Sequence, residues 1–113
     1  MQKITVKWFS DDGHAWLAVR ANDMAACGLR EKDMSVYSYK DANNPAPSLY
    51  YLEEDCDAGF FIQAAEKLGY ELEYLEAVNT DGSSWIRRMP RMKGESLLFN
   101  KAMQEKEAAK ATA

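Results

Sequence analysis

Apolar and polar residues alternate from the start of the chain. Ile4, Val6 and Trp8 fall on one face of an extended segment, with Lys3, Thr5 and Lys7 on the other. Ser10-Asp11-Asp12-Gly13 follows, a turn sequence whose Asp-Gly pair is read as supplying the positive φ of a tight hairpin. Residues 15–20 alternate again, so the pattern predicts a β-hairpin. Asn22 can cap a short helix running to Cys27, and Gly28 suits its left-handed end. Residues 34–39 read as a third strand and residues 49–53 as a fourth. Between them, residues 41–48, with Asn43, Asn44, Pro45 and Pro47, read as a loop.

The spacing then becomes helical. Asp55 is placed as an N-cap, and Phe61, Ala64, Ala65 and Leu68 form one stripe that Gly69 ends. Tyr70, Leu72 and Tyr74 alternate with Glu71, Glu73 and Leu75 in a fifth strand. Residues 79–84 turn the chain into a sixth strand over residues 85–88, stopped by Pro90. The order ββαββαββ predicts an α+β domain over residues 1–93, a mostly antiparallel sheet with helices on one face. Over residues 94–113, Leu97, Leu98, Phe99, Ala102 and Met103 make a stripe ahead of an Ala/Glu/Lys tail. This predicts a C-terminal helix that docks or pairs at its start, as in a homo-oligomer, and frays at its end.

At 113 residues, 47% of them hydrophobic, the chain has room for one modest core. A net charge of −4 argues against binding duplex DNA, where affinity comes from neutralised phosphates. Cys27 and Cys56 show no disulfide framework, no apolar leader follows a basic start, and no run suits a membrane span. The expectation is a soluble cytoplasmic protein with no cofactor and no metal.

Candidate chemistry concentrates where strand pattern meets helix pattern. Glu53, Glu54, Asp55, Cys56 and Asp57 put four carboxylates and a thiol in five positions. Hard cations want converging oxygens, yet the calcium-loop pattern is absent, and capping and dipole roles for Asp55 and Asp57 are favoured. A helix N-terminus lowers the pKa of a thiol while surrounding carboxylates raise it, so Cys56 is read first as a space-filling residue. His14 is the sole histidine and the only base available to Cys56; its default partner is Asp12.

Charge is also segregated. Residues 53–76 hold eight acids against Lys67, a balance of −7, whereas residues 84–93 hold Arg87, Arg88, Arg91 and Lys93 with no acid. Trp85 among these arginines has the composition of a binding hot spot, or of a platform for single-stranded bases. The competing reading pairs the arginines with the Glu-rich strand across the sheet. Six tyrosines, Tyr37 and Tyr39 among them, would form a shallow aromatic platform wherever they share an exposed face.

Three blocks, Asp-x-Gly-His-x-Trp-Leu at 11–17, Tyr-Ser-Tyr at 37–39 and Tyr-Leu-Glu-Glu-Asp-Cys-Asp at 51–57, resemble a group of small uncharacterised proteins of phages, plasmids and bacterial genomes. The resemblance covers roughly residues 1–90. It implies no activity and no catalytic role; what it implies is a mobile-element context, in which small acidic proteins bind host factors. The leading expectation is therefore a non-enzymatic binding module directed at a host or defence protein, even an inhibitor of it. Its contacts would be Trp85, Arg87, Arg88, Arg91, Glu53, Glu54, Tyr37 and Tyr39. The alternatives are a small enzyme or metal-dependent site at His14, Asp55, Cys56 and Asp57 with Glu53 and Glu54, and single-stranded nucleic-acid binding through Trp85 and the arginines.

Overall fold

The computed structural model describes residues 2–41 and 48–92. The expected C-terminal helix, the oligomer it would build and the interior of the 41–48 loop lie outside these residues. The described chain is a small α+β fold: a mixed six-stranded sheet with two α-helices.

Strands β1 (Lys3–Ser10) and β2 (Ala15–Arg20) form the expected hairpin, with Ser10 opposite Ala15. Its turn is not held by a left-handed glycine, because Gly13 does not adopt positive φ. The Asp11 carboxylate does that work, accepting from the Gly13 and His14 N–H groups at 3.0 Å each. Glycine is needed at 13 for space: a Cβ there would lie 3.0 Å from Arg87 Nη2.

Helix α1 (Ala21–Ala26) begins directly after β2, with Arg20 and not Asn22 at its N-cap. Gly28 ends the turn at φ +74°. Of the strand expected over residues 34–39, only β3 (Tyr39–Lys40) exists, preceded by a 3-10 turn at Glu31–Asp33. Side chains have taken the backbone donors that a strand would use. Ser35 N–H goes to Asp57 Oδ2 at 2.8 Å and Tyr37 N–H to Ser35 Oγ at 3.2 Å.

Strand β4 (Leu49–Glu53) pairs antiparallel with both β2 and β3. Buried Asp41 ties the loop ends together, accepting from Ser48 Oγ and Leu49 N–H at 2.9 Å. Helix α2 (Asp57–Lys67) then returns the chain along the sheet. Its eleven residues rise about 16 Å, close to the length of the five-residue strand before it. Matching lengths of this kind suit a βαβ crossover.

Strand β5 (Glu71–Tyr74) accordingly lies parallel to β1. β6 (Val78–Asn79) continues along β1 opposite Phe9 and Ser10. Residues 75–77 stand against only Lys7 and Trp8, so one extra residue bulges between β5 and β6. The order across the sheet is β3-β4-β2-β1-β5. The stretch 85–88 is a correction: it forms a 3-10 turn (Trp85–Arg88), not a strand. Ser84 caps it through Ile86 N–H, and buried Ile86 and partly buried Met89, three residues apart, face the second core. That spacing is the repeat of a 3-10 helix and not of a strand.

The sheet is covered on both faces. On one, Ile4, Val6, Leu17, Val19 and Leu52 pack against Met24 of α1 and Ala58, Phe61 and Ala65 of α2. On the other, Trp16, Ala18, Tyr39 and Tyr51 enclose Ile86. The shared face of Tyr39 and Tyr51 is thus a second core rather than an exposed platform. No helix among the described residues is long and apolar enough to cross a membrane.

Candidate functional site

The strand-to-helix corner is built around two buried carboxylates. Asp57, the first residue of α2, is fully buried. Its Oδ2 accepts from Ser35 N–H and Ser35 Oγ, both at 2.8 Å, and from Ser38 Oγ at 2.5 Å. Ser38 Oγ also accepts from Glu53 N–H at 2.9 Å, so one hydroxyl joins the end of β4 to the start of α2. Asp57 is therefore the staple between residues 35–38 and the helix, beyond the dipole role read from its position. The positive end of α2 adds to these donors. The N-cap itself is Cys56, not Asp55, and no side chain caps the helix.

Glu53 is also buried, and its Oε2 has no protein hydrogen-bond partner, as is true of Asp57 Oδ1. Desolvation pushes the Glu53 carboxyl from an ordinary 4.5 up to about 7, with Asp55 and Asp57 adding repulsion against the Asp55 N–H that favours the charge. Burial likewise raises the Cys56 thiol to about 11, assisted by Asp57, Glu53 and Asp55. A thiol so shifted is a poor nucleophile near neutral pH. Asp55, Cys56, Gly59, Phe60 and Gln63 line an open hollow of about 250 Å³ at this corner.

His14 is exposed at the end of β2, at the same sheet end as Glu53 and Glu54 by register, and its ring lies 6.3 Å from that of Trp16. Its N–H bonds Asp11 rather than Asp12. Among the described residues no three His, Cys, Asp or Glu side chains group so as to hold a metal ion.

The basic turn is tied into the fold. Asp11 accepts from Ser84 N–H at 2.8 Å and from Arg87 Nε at 2.5 Å and Nη2 at 2.9 Å. Arg87 also lies over the Trp16 ring at 5.4 Å. Its guanidinium holds the Asp11 carboxyl far below the usual carboxylate range. The carboxylate is covered by its own partners at the molecular surface. Arg91 lies over Tyr39 at 5.4 Å and donates to Val36 carbonyl at 3.2 Å. Trp85, 38% exposed, meets Phe9 and Tyr51 edge-on at 5.9 and 5.5 Å. Arg88 is exposed and makes no ion pair among the described residues. Arginines in this turn do not reach the Glu-rich strand; Glu73 instead meets Lys3 at 4.0 Å.

Most of the remaining exposed acids lie between the end of β4 and the residues just after β5. Glu54, Asp55, Glu66, Glu71, Glu73 and Glu76 are all exposed, together with apolar Phe60, Leu68, Tyr74 and Leu75. Sequence reading placed the recognition surface on the arginines with Trp85 and on the acidic corner at Glu53 and Glu54, and did not extend it to Phe60, Glu66 and β5. Leu68, expected in the buried stripe of the helix, is instead its exposed C-cap. Comparison with protein-family models, curated proteins and solved structures finds no match to the chain.

Proposed function

We propose that the protein is a non-enzymatic binding module that engages a protein partner through its acidic segment 54–76. One observation carries this reading. The strongest polar groups of the molecule, Asp11 with Arg87 and Asp57 with Ser35 and Ser38, are used in holding the fold. Residues 54–76 keep six exposed carboxylates against Lys67, together with the exposed apolar side chains Phe60, Leu68, Tyr74 and Leu75. Exposed apolar groups within a charged rim mark interaction surfaces. The sign of the rim selects a basic partner. The mobile-element setting implied by the motif resemblance supports a host or defence protein as that partner, with inhibition as the outcome of binding.

The test is affinity capture by the tagged chain from bacterial lysate, repeated with Phe60→Ala and Glu66→Lys. A stoichiometric complex that weakens by about tenfold or more with each change is expected. A complex indifferent to both changes would overturn the reading.

A further inference from the structure

The two edges of the sheet are treated differently. At the β3 edge the chain covers itself: Lys40 N–H donates to Pro90 carbonyl and Met92 N–H to Ser38 carbonyl, both at 2.9 Å. At the other edge β5 pairs with β1 alone and has no strand beyond it among the described residues. Glu71 N–H bonds Gln2 carbonyl at 3.0 Å and Leu75 N–H bonds Val6 carbonyl at 2.9 Å. Odd-numbered residues of β5 therefore direct their backbone groups at β1. Leu72 and Tyr74 direct theirs outward, two N–H and two C=O groups in strand geometry.

The side chains define what could pair there. Leu72 packs with Ile4 and Val6 on the α2 face, and Tyr74 shares that face, 49% exposed beside Glu66. Glu71 and Glu73 occupy the opposite face, both exposed. β1 already shows the complement of this pattern, with Lys3 on the glutamate face and Ile4 and Val6 on the apolar one. From this geometry we infer that the β5 edge takes up an extended partner segment in which apolar and basic residues alternate, by β-strand addition. Apolar side chains would extend the core over Leu72 and Tyr74, and Lys or Arg would stand opposite Glu71 and Glu73. A second copy of this chain fits poorly: an antiparallel β5 pair with the helices on one face sets glutamate against glutamate.

The inference rests on the binding-module reading and specifies its contact. The probe is a synthetic heptapeptide of alternating Lys and Val, with its block isomer of equal composition as control, titrated into the full-length 15N-labelled chain. Tyr74→Pro is the decisive variant, since it deletes an outward N–H and leaves the ladder to β1 in place. Expected are shifts and gained exchange protection at the Leu72 and Tyr74 amides, and about tenfold weaker binding for Tyr74→Pro and for the block isomer. Equal binding by the variant or by the isomer overturns the inference. So does protection of both amides before peptide is added, or self-association through this edge. A captured partner that depends on Phe60 and Glu66 but not on Tyr74→Pro overturns the edge assignment alone; one that depends on neither Phe60 nor Glu66 overturns the module reading.

Discussion

Arg87 closes on Asp11 across 76 positions of sequence, Nε to Oδ2 at 2.5 Å and Nη2 to Oδ1 at 2.9 Å. This pair joins the β1–β2 turn to the 3-10 turn that covers the second core. The planar fork also stacks on Trp16, which a lysine cannot reproduce. Arg87→Lys is expected to lower the melting temperature by on the order of 5 °C. Gly13→Ala should act in the same direction, because its Cβ meets Arg87 Nη2. Thermal denaturation of the two single variants and the double variant checks this; the combined loss should be less than additive, since both act on one contact.

The same carboxylate sets an acid limb. Its folded pKa is depressed below the ordinary 3.8, chiefly by the Arg87 hydrogen bond. A depressed acid contributes stability that is complete above the unfolded pKa and disappears as pH falls through the folded one. Denaturant melts between pH 5 and pH 2 should therefore show a steep loss in the wild-type chain. Asp11→Asn, weaker at pH 7, should show a shallower loss over the same interval.

Much of the fold is legible locally. Residues 4–8 alternate, residues 15–20 and 49–53 form β2 and β4 where expected, and Gly28 and Gly69 take positive φ at the helix ends. Elements misread from sequence depend on partners far along the chain. Residues 34–38 alternate like a strand, but Asp57 and Ser35 Oγ claim their donors from outside any ladder. Residues 85–88 follow the same logic, folded into a 3-10 turn by Ser84 and anchored by Asp11. Parallel pairing of β5 with β1 leaves no mark in periodicity, since a half-buried strand alternates alike in either direction. At the site, Cys56 was read as unreactive from the carboxylates around it. The burial of Glu53 and Asp57, and the role of Arg87 as a structural tie, needed the tertiary fold.

Cys56 lines the open hollow, yet its thiol is pushed up to about 11, first by burial and then by Asp57, Glu53 and Asp55. Alkylation by iodoacetamide at pH 8 is expected to run roughly 100-fold slower than for a free cysteine, following the thiolate fraction. Asp55→Asn should accelerate it by removing one of the opposing charges. Mass spectrometric time courses of the native chain, with the urea-unfolded chain as reference, read this directly. Equal rates in the folded and unfolded chains would contradict it.

Asp57 is the residue whose loss should cost most. Asp57→Ala deletes the acceptor of three hydrogen bonds in a fully buried position and strands the Ser35 and Ser38 donors. A loss of about 3 kcal/mol is expected from urea melts. Exchange protection should vanish first at the Ser35 amide, ahead of the α2 amides, because the staple holds residues 35–38 to the helix.

Glu53 gives the opposite sign of pH dependence from Asp11. Its carboxyl titrates near 4.5 when unfolded and near 7 when folded, so between these values the folded chain holds the extra proton. Stability from this group thus rises as pH falls from 7 towards 4.5, and the ionisation penalty is complete above 7. Glu53→Gln removes the titration while keeping the shape, and its amide can donate to the neighbouring carboxylates where the ionised side chain cannot. The variant should be more stable than the wild type at pH 8 by about 2 kcal/mol, and its stability should be flatter between pH 5 and pH 7. Urea melts across this range decide the matter: parallel curves for the two chains would mean that Glu53 ionises in the folded protein as it does in the unfolded one.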